Sequence, residues 1–486
     1  MLKPYLALDV GAGSGRAILG LPAKGRLELE EIHTFPNKPI LAQGRLHWDF
    51  LFIWDQLLEA LRKAARGRHG PLQAIGIDTW NIDFGLLDAA GELLYNPICY
   101  RSAVRPEVLE RIKALVAEET LYGLTGIGHL GITGLARLLE RRLDQPHLYS
   151  GQARCYLPLA DLLRFFLNGQ KNIEQTILWG TQLADVRTRE LSRRLLEIFE
   201  LPAELFPPRI PAGCAGAAVR AEIQDATGVG AVPVASVAGH DTISALVSAA
   251  GSGEQVAILC TGTWFILGTL LREPRLEARA LRKGFLNEIA FAGLTYFARN
   301  LMGFYLLEGL RKEWGASYSQ MIASALLEPE FTLDIDLNDP AFFSTLAPSR
   351  DIEAYLRRTG QDPGSDRGAV VRGLLEGLAL SCRSALLDLE QLTGARIAGI
   401  RLLGGAVRNS PLCQMIADAT GRVLEAGPAE ATAVGNIAMQ MIACGELTSL
   451  GEVRKLVDSS FPPRVYEPAG QDKWEQRAAR RAGSGS

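Results

Sequence analysis

The chain has 486 residues, 51 Lys and Arg against 54 Asp and Glu, 50 glycines and 48% hydrophobic residues. At roughly 150 residues per domain this is two or three domains, long enough to fill a core without disulfides or metals. The net charge of −3 gives no electrostatic ground for nucleic acid or an anionic membrane as partner, and no apolar run reaches the roughly 18 to 20 residues of a membrane span.

No secretory signal is read before Asp9, and the seven cysteines are scattered with no C-x-x-C pair, so zinc and redox motifs are absent and a cytoplasmic location is expected. The six histidines are scattered too. The stretch 482–486, AGSGS, reads as a flexible linker or a remnant of cloning.

In chain order, 5–10 reads as a strand, Gly11-Ala12-Gly13-Ser14-Gly15 as a turn, and 16–20 as a returning strand; 26–30 alternates with period two. This is a β-meander. A dinucleotide fingerprint would need a third glycine where Arg16 stands and a helix directly after the turn. No G-x-x-x-x-G-K-[ST] occurs either. Helical spacing covers 54–65, and 74–77 is a short strand ending in Asp78-Thr79-Trp80. The stretch 81–87 with the turn 88–91 predicts a hairpin, and much of 105–200 is helical. A strand at 232–237 ends at Gly239-His240-Asp241. At 256–260 and 264–268 the opening strand, turn and strand return around Thr261-Gly262-Thr263. A long helix with one apolar face (371 to 389) ends near Gly394, and a strand at 400–403 runs into Gly404-Gly405. This echo predicts two related α/β lobes divided near residue 248.

Four turns share one logic: an apolar strand ends in Gly, Asp or Thr, where α/β sheets gather ligands. Asp9 with Gly11 to Gly15 offers converging amides for phosphate and a carboxylate for water-held Mg²⁺, or an ordinary hairpin. Thr261-Gly262-Thr263 offers amides and hydroxyls, or common turn chemistry. Asp241 at a strand-to-helix junction is an N-cap or a general base. Gly404-Gly405 with Asn409 admits a flat ring or begins a capped helix. Singly, the structural readings lead; together, the four are the parts of a two-lobed ATP phosphotransferase.

These residues resemble the FGGY carbohydrate kinases, most closely the rhamnulokinases among them, from about residue 5 to 451. The resemblance rests on ALDVGAGSGR (7–16), GRLHWD (44–49), GIDTWNIDFGLLD (76–88), the 174–182 stretch, GHDT (239–242), TGTW (261–264), NE (287–288), RNLMG (299–303), LLGGAVRN (402–409) and GPAEATAVGN (427–436). It implies two ribonuclease-H-like, actin- and hexokinase-type lobes with the site in the cleft between: 1–248 for sugar and catalytic Asp, 249–470 for nucleotide, and a tail at 471–486. It implies ATP and Mg²⁺ as cofactors and transfer of the γ-phosphate to a ketose, L-rhamnulose giving L-rhamnulose 1-phosphate. Carried over, Asp241 is the catalytic base and Asp9 the water-linked metal carboxylate. Gly13, Ser14, Gly15, Arg16, Thr261, Gly262 and Thr263 surround the phosphates, and Gly404, Gly405 and Asn409 border adenosine. Asn81, Asp83, His240, Thr242 and Asn300 meet the sugar. The partners implied are a small sugar and ATP, with no nucleic acid or membrane.

The departures from the family pattern lie mostly on the sugar side. Asn81 stands where glycine is usual, 132–138 departs from the usual F-N-T-x-x-Q-L, Glu308 replaces a glutamine, and Ala406 replaces a third glycine. They leave open a relative acting on L-fuculose, ribulose or xylulose. A non-catalytic sugar sensor and an actin- or Hsp70-like ATPase are rivals of other classes. Trp48 and Trp80 read as packing residues, and Glu174 and Glu430 as buried acids that hold loops.

Overall fold

The computed structural model describes residues 3–484 except 148–150, 344, 346, 363 and 365. It is α/β, built on two mixed sheets. The first has five strands in the order Val234–Ala235, Ala74–Thr79, Tyr5–Val10, Ser14–Ala23 and Arg26–Pro36. The second has seven, in the order Phe285–Ile289, Thr295–Met302, Trp264–Leu271, Val256–Thr261, Gly399–Gly404, Val423–Ala426 and Arg464–Tyr466.

The sequence echo is a topological one. Tyr5–Val10 pairs antiparallel with the strand that follows it and parallel with Ala74–Thr79. Val256–Thr261 pairs antiparallel with the strand that follows it and parallel with Gly399–Gly404. Each central strand is apolar throughout its middle because both its faces are covered.

By contact density the chain falls into two units. The first joins residues 1–251, 270–297 and 430–462; the second joins 252–269, 298–429 and 463–486. Within the first unit, Tyr5, Ala7, Ile18 and Ala74 on one sheet face pack under Ala433, Ile437 and Met441 of the helix Ala431–Ala443. The helix Phe50–Arg66, capped by Asp49, is buried through Ile53, Leu57 and Leu61. Within the second unit, the long helix is Arg367–Thr393, capped by Asp366 and ended by Gly394 at φ +71°.

Three local expectations change. The hairpin at 81–91 shrinks to one bridge between Leu87 and Leu93. Phe84–Leu87 pairs instead with Cys155–Pro158, because four consecutive buried residues need a buried partner strand. The strand at 232–237 is reduced to Val234–Ala235: Pro233 has no N–H to give the ladder, and its neighbours bond to the 214–219 segment instead. The linker expected at 482–486 is helical through Ser484, as the last turns of Gln471–Ser484; residues 485–486 lie outside the described residues. That helix is anchored by buried Trp474 and by Arg481, whose Nε donates to Asp334 Oδ1 at 2.9 Å. Among the described residues no helix is long and apolar enough to cross a membrane.

Candidate active site

In the first unit the carboxyl ends of adjacent strands bring three aspartates together. Register pairs Asp9 with Arg16 on one side and with Asp78 on the other. Arg16 donates to Asp9 at 2.8 Å and also pairs with Glu430. Asn436, on the helix Ala431–Ala443, donates to Asp78 Oδ2 at 2.5 Å. Gln440 donates to Asn436 Oδ1 at 2.7 Å and to the Leu6 carbonyl at 3.0 Å. Gly76 makes room for this ladder: a Cβ there would lie 2.3 Å from Asn436 Oδ1.

Thr79 donates its N–H to the Gly239 carbonyl at 2.9 Å and forms a parallel bridge with His240. The bridge sets His240 and Asp241 beside the end of the Ala74–Thr79 strand. Asp241 opens the helix Asp241–Val247, and its Oδ1 accepts from its neighbour Thr242 N at 2.6 Å. Glu174 holds this loop from behind. It caps its own short helix and accepts the Gly239 N–H at 2.9 Å, and burial pushes its carboxyl up to about 7.

Burial is the first cause raising the proton affinity of Asp9, Asp78 and Asp241 alike, and the charge of Asp9 raises the other two further. Arg16 opposes the rise at Asp9, and His240 opposes it at Asp241. Asp78 Oδ1 is buried without a hydrogen-bond partner. Asp9 and Asp78, paired in register with one carboxyl oxygen unused, fit a divalent cation. Among the described residues no three His, Cys, Asp or Glu side chains form a closed metal site. Mg²⁺ ordinarily needs only one or two carboxylates beside water and phosphate.

The 11–15 turn is fixed by Asn37, which donates its backbone N–H to the Gly13 carbonyl (3.1 Å) and its side chain to the Gly11 carbonyl (2.8 Å). Gly13 and Ser14 are left exposed at the tip and Gly15 lies buried. A Cβ on Gly13 would meet nothing within 4 Å, whereas one on Gly15 would strike the Phe35 ring.

Around Asp83, the Trp48 and Trp80 rings pack with centroids 4.2 Å apart and planes tilted by 44°, and both donate to Asp83 Oδ2, at 2.5 and 2.8 Å. Tyr100 N donates to the same oxygen at 3.2 Å. Burial holds this carboxyl up near about 6, against those donors. Asp83 thus knots a tryptophan cluster, and that oxygen is spent on it. Asn81 accepts from its neighbour Ile82 N at 2.7 Å, and its Nδ2 is buried without a partner. Ile82 takes φ +90°, a costly conformation for a β-branched residue.

Gly180 provides the space for Asn81: a Cβ there would lie 2.0 Å from Asn81 Oδ1. Gly180→Ala should therefore cost about 1–3 kcal/mol in urea unfolding, and Asn81→Gly in the same chain should restore most of it. Full additivity of the two changes would show that they do not share this space.

In the second unit, Thr261 Oγ1 donates to the Leu403 carbonyl at 2.6 Å and accepts the Ala406 N–H at 3.0 Å. Its hydroxyl is used to knit two turns together. Gly404, at φ +88°, lies so close that a Cβ would sit 2.4 Å from the Thr261 carbonyl, while a Cβ on Gly405 would meet nothing within 4 Å. Gly262 and Thr263 are exposed, with Gly303 packed beneath them. Asn409 caps the helix Ser410–Thr420 by accepting Leu412 N at 3.1 Å. Asn300 is exposed on Thr295–Met302. Glu308 bonds Arg311 at 2.7 Å and Tyr318 at 2.9 Å; the Arg311 bond is the first cause holding its carboxyl down to about 2.

Sequence reasoning left Asp78, Asn37, Asn436 and Glu288 without roles. Asp78 carried the signal that marked Asp9, an apolar strand ending in aspartate. The other three act through contacts distant in sequence.

The N-terminal domain of the FGGY family of carbohydrate kinases matches residues 4–248, and its C-terminal domain matches 257–444. A rhamnulokinase of Bacteroides thetaiotaomicron is 34% identical over 98% of both chains, and one of Bacillus subtilis 32% over 96% of both. In fold, the chain is similar to a xylulose kinase from Lactobacillus acidophilus (TM-score 0.82, 16% identity, 100% and 99% of the two chains). It is equally similar to Plasmodium falciparum glycerol kinase with ADP (TM-score 0.82, 18% identity, 99% and 97%). Both family domains in their order, and relatives aligned from end to end, establish that the chain belongs to the FGGY family of carbohydrate kinases.

Proposed function

We propose that this FGGY kinase transfers the γ-phosphate of ATP to L-rhamnulose, giving L-rhamnulose 1-phosphate. The observation that carries the reading is Asp241, set at a helix start beside His240 and within the field of Asp9. The two rhamnulokinase relatives support the choice of sugar.

In this reading the Asp241 carboxylate accepts the proton of the attacking hydroxyl. The sugar oxygen forms its bond to the γ-phosphorus as the bond to the ADP oxygen breaks, in line. Gly13, Ser14, Gly15 and Arg16 are the phosphate-binding residues of the first unit, and Gly262 and Thr263 those of the second. Thr261 shapes that turn through its hydroxyl. Gly404 and Gly405 border adenosine, and Asn409 supports them as a cap. His240, Thr242 and Asn81 are the sugar-binding residues of the first unit, with Asp83 holding their neighbouring tryptophans in place, and Asn300 is that of the second. Mg²⁺, held through water by Asp9, supplies charge neutralisation when bound.

A second reading keeps the chemistry and changes the sugar. It is favoured by Asn81, whose unpartnered Nδ2 is a donor that a glycine lacks. A kinase panel over L-rhamnulose, L-fuculose, D-ribulose and D-xylulose decides between them; rapid turnover of another ketose with none of L-rhamnulose overturns the first. Asn81→Gly should lower kcat/KM for the preferred sugar roughly tenfold, the worth of one hydrogen bond. An unchanged value removes Asn81 from the sugar site.

A further inference from the structure

Glu288 has no part in the chemistry above, yet it is only 3% exposed. It lies on Phe285–Ile289, in a segment that packs within the first unit. Side chains alternate along a strand, and the neighbouring Asn287 anchors one face. Its Nδ2 donates to Tyr122 Oη at 3.1 Å and to the Arg275 carbonyl at 2.8 Å, and its backbone N–H donates to the Gly126 carbonyl at 3.0 Å. Glu288 is thereby held on the other face, its Oε2 3.3 Å from His240 Nδ1. Both atoms are buried and neither makes a hydrogen bond, so this ionic approach is the only polar contact of either among the described residues. The opposite ring nitrogen, Nε2, lies 3.5 Å from Asp241 Oδ1.

We propose that Glu288 is a positioning residue: its carboxylate faces Nδ1–H of His240 and fixes the ring, which aims Nε2 at Asp241 and the sugar hydroxyl. The inference rests on the sugar-kinase reading of this site. A carboxylate behind an imidazole fixes its tautomer and orientation. It also lets the ring carry a proton at both nitrogens. Burial works against that charge, but Glu288 first, then Asp241 and Glu174, hold the His240 proton affinity above its ordinary value. Among the described residues, the charged groups acting on the ring are these three acids: Asp241 next to it in the chain, Glu288 on Phe285–Ile289 and Glu174 capping the helix Gln175–Leu178. A charged donor beside Asp241 favours the ionised carboxylate that must accept the substrate proton.

Spectra of ¹⁵N-histidine-labelled enzyme without sugar, with His240 assigned through His240→Gln, read the ring directly. His240 should titrate above the free-imidazole value of about 6.5 in the native chain and below it in Glu288→Gln. Near neutral pH, Glu288→Gln should raise KM for L-rhamnulose roughly tenfold with a smaller change in kcat. It should add little to the loss in His240→Gln. Glu288→Asp, one methylene shorter, should be intermediate in both titration and KM, and it serves if the glutamine variant does not fold. An unshifted His240 titration, losses that add fully, or an aspartate variant equal to the native chain overturns the proposal. If the native enzyme does not phosphorylate L-rhamnulose, the substrate reading falls while the ring titration still decides the role of Glu288.

Discussion

Asp241→Asn should lower kcat roughly a hundred- to ten-thousandfold, the span of general-base contributions, while sugar and ATP still bind. Asparagine keeps the size of the side chain and the acceptor oxygen that Thr242 N meets at 2.6 Å. It removes the negative charge and with it the capacity to take a proton. Isothermal titration with L-rhamnulose separates binding from turnover, and full activity in this variant removes the assignment. The pH profile carries the same logic. Burial and the Asp9 charge raise the Asp241 proton affinity, and His240 opposes them. In the proposed mechanism activity requires the carboxylate, so it is present above the folded-state pKa and lost as pH falls through it. The acid limb of kcat/KM therefore belongs above the ordinary aspartate range, and an acid limb at or below that range contradicts the desolvated setting of the base.

Gly435→Ala should be the most disruptive single methyl in the first unit. A Cβ at this position would lie 1.7 Å from the Ser244 carbonyl oxygen and 2.8 Å from its carbon. These are backbone atoms of Asp241–Val247 and cannot swing aside as a side chain does. The helix Ala431–Ala443 would have to withdraw from its neighbour, at about 1–3 kcal/mol or more of overpacking. Asp241 is the first residue of the helix that is pressed against, and Asn436, which holds Asp78, is the next residue after the added methyl on the helix that withdraws. Misplacement of a reacting group by about 1 Å costs on the order of a hundredfold in rate. Urea unfolding and kcat should therefore fall together. A variant with the native midpoint and native kcat would show that the two helices have slack that their packing denies.

The parts of this site that depend on neighbours along the chain were legible. The opening strand, the glycine turn and the returning strand follow from alternation and glycine, and the long helix ends at Gly394 as its apolar face predicts. Asp9 and Asp241 stood out as acids at the ends of apolar strands. What was not legible depends on partners far away. Phe84–Leu87 announces a buried strand but not that its partner is Cys155–Pro158. Gly76 and Gly435 look like ordinary strand and helix positions until Asn436 and Ser244 approach them. Asn436 and Gln440 sit four apart in an apolar helix and read as lapses in its pattern. They are the donors for Asp78 and for the Leu6 carbonyl. Glu288 carried a family signal without a reason, which the 3.3 Å approach to His240 supplies.

The discontinuity of the first unit also bears on how the protein is made. Asp9 and Arg16 leave the ribosome early, yet Arg16 meets Glu430 across 414 residues of chain, and Asp78 meets Asn436 across 358. Until that late helix emerges, Tyr5, Ala7, Ile18 and Ala74 have no cover. Contacts of such span form slowly, and uncovered apolar sheet is what chaperones bind and what aggregates. The first half of the chain is therefore not a domain that completes itself during synthesis. Its acidic centre closes only when nearly the whole chain exists, so translation that stops short yields no partial enzyme.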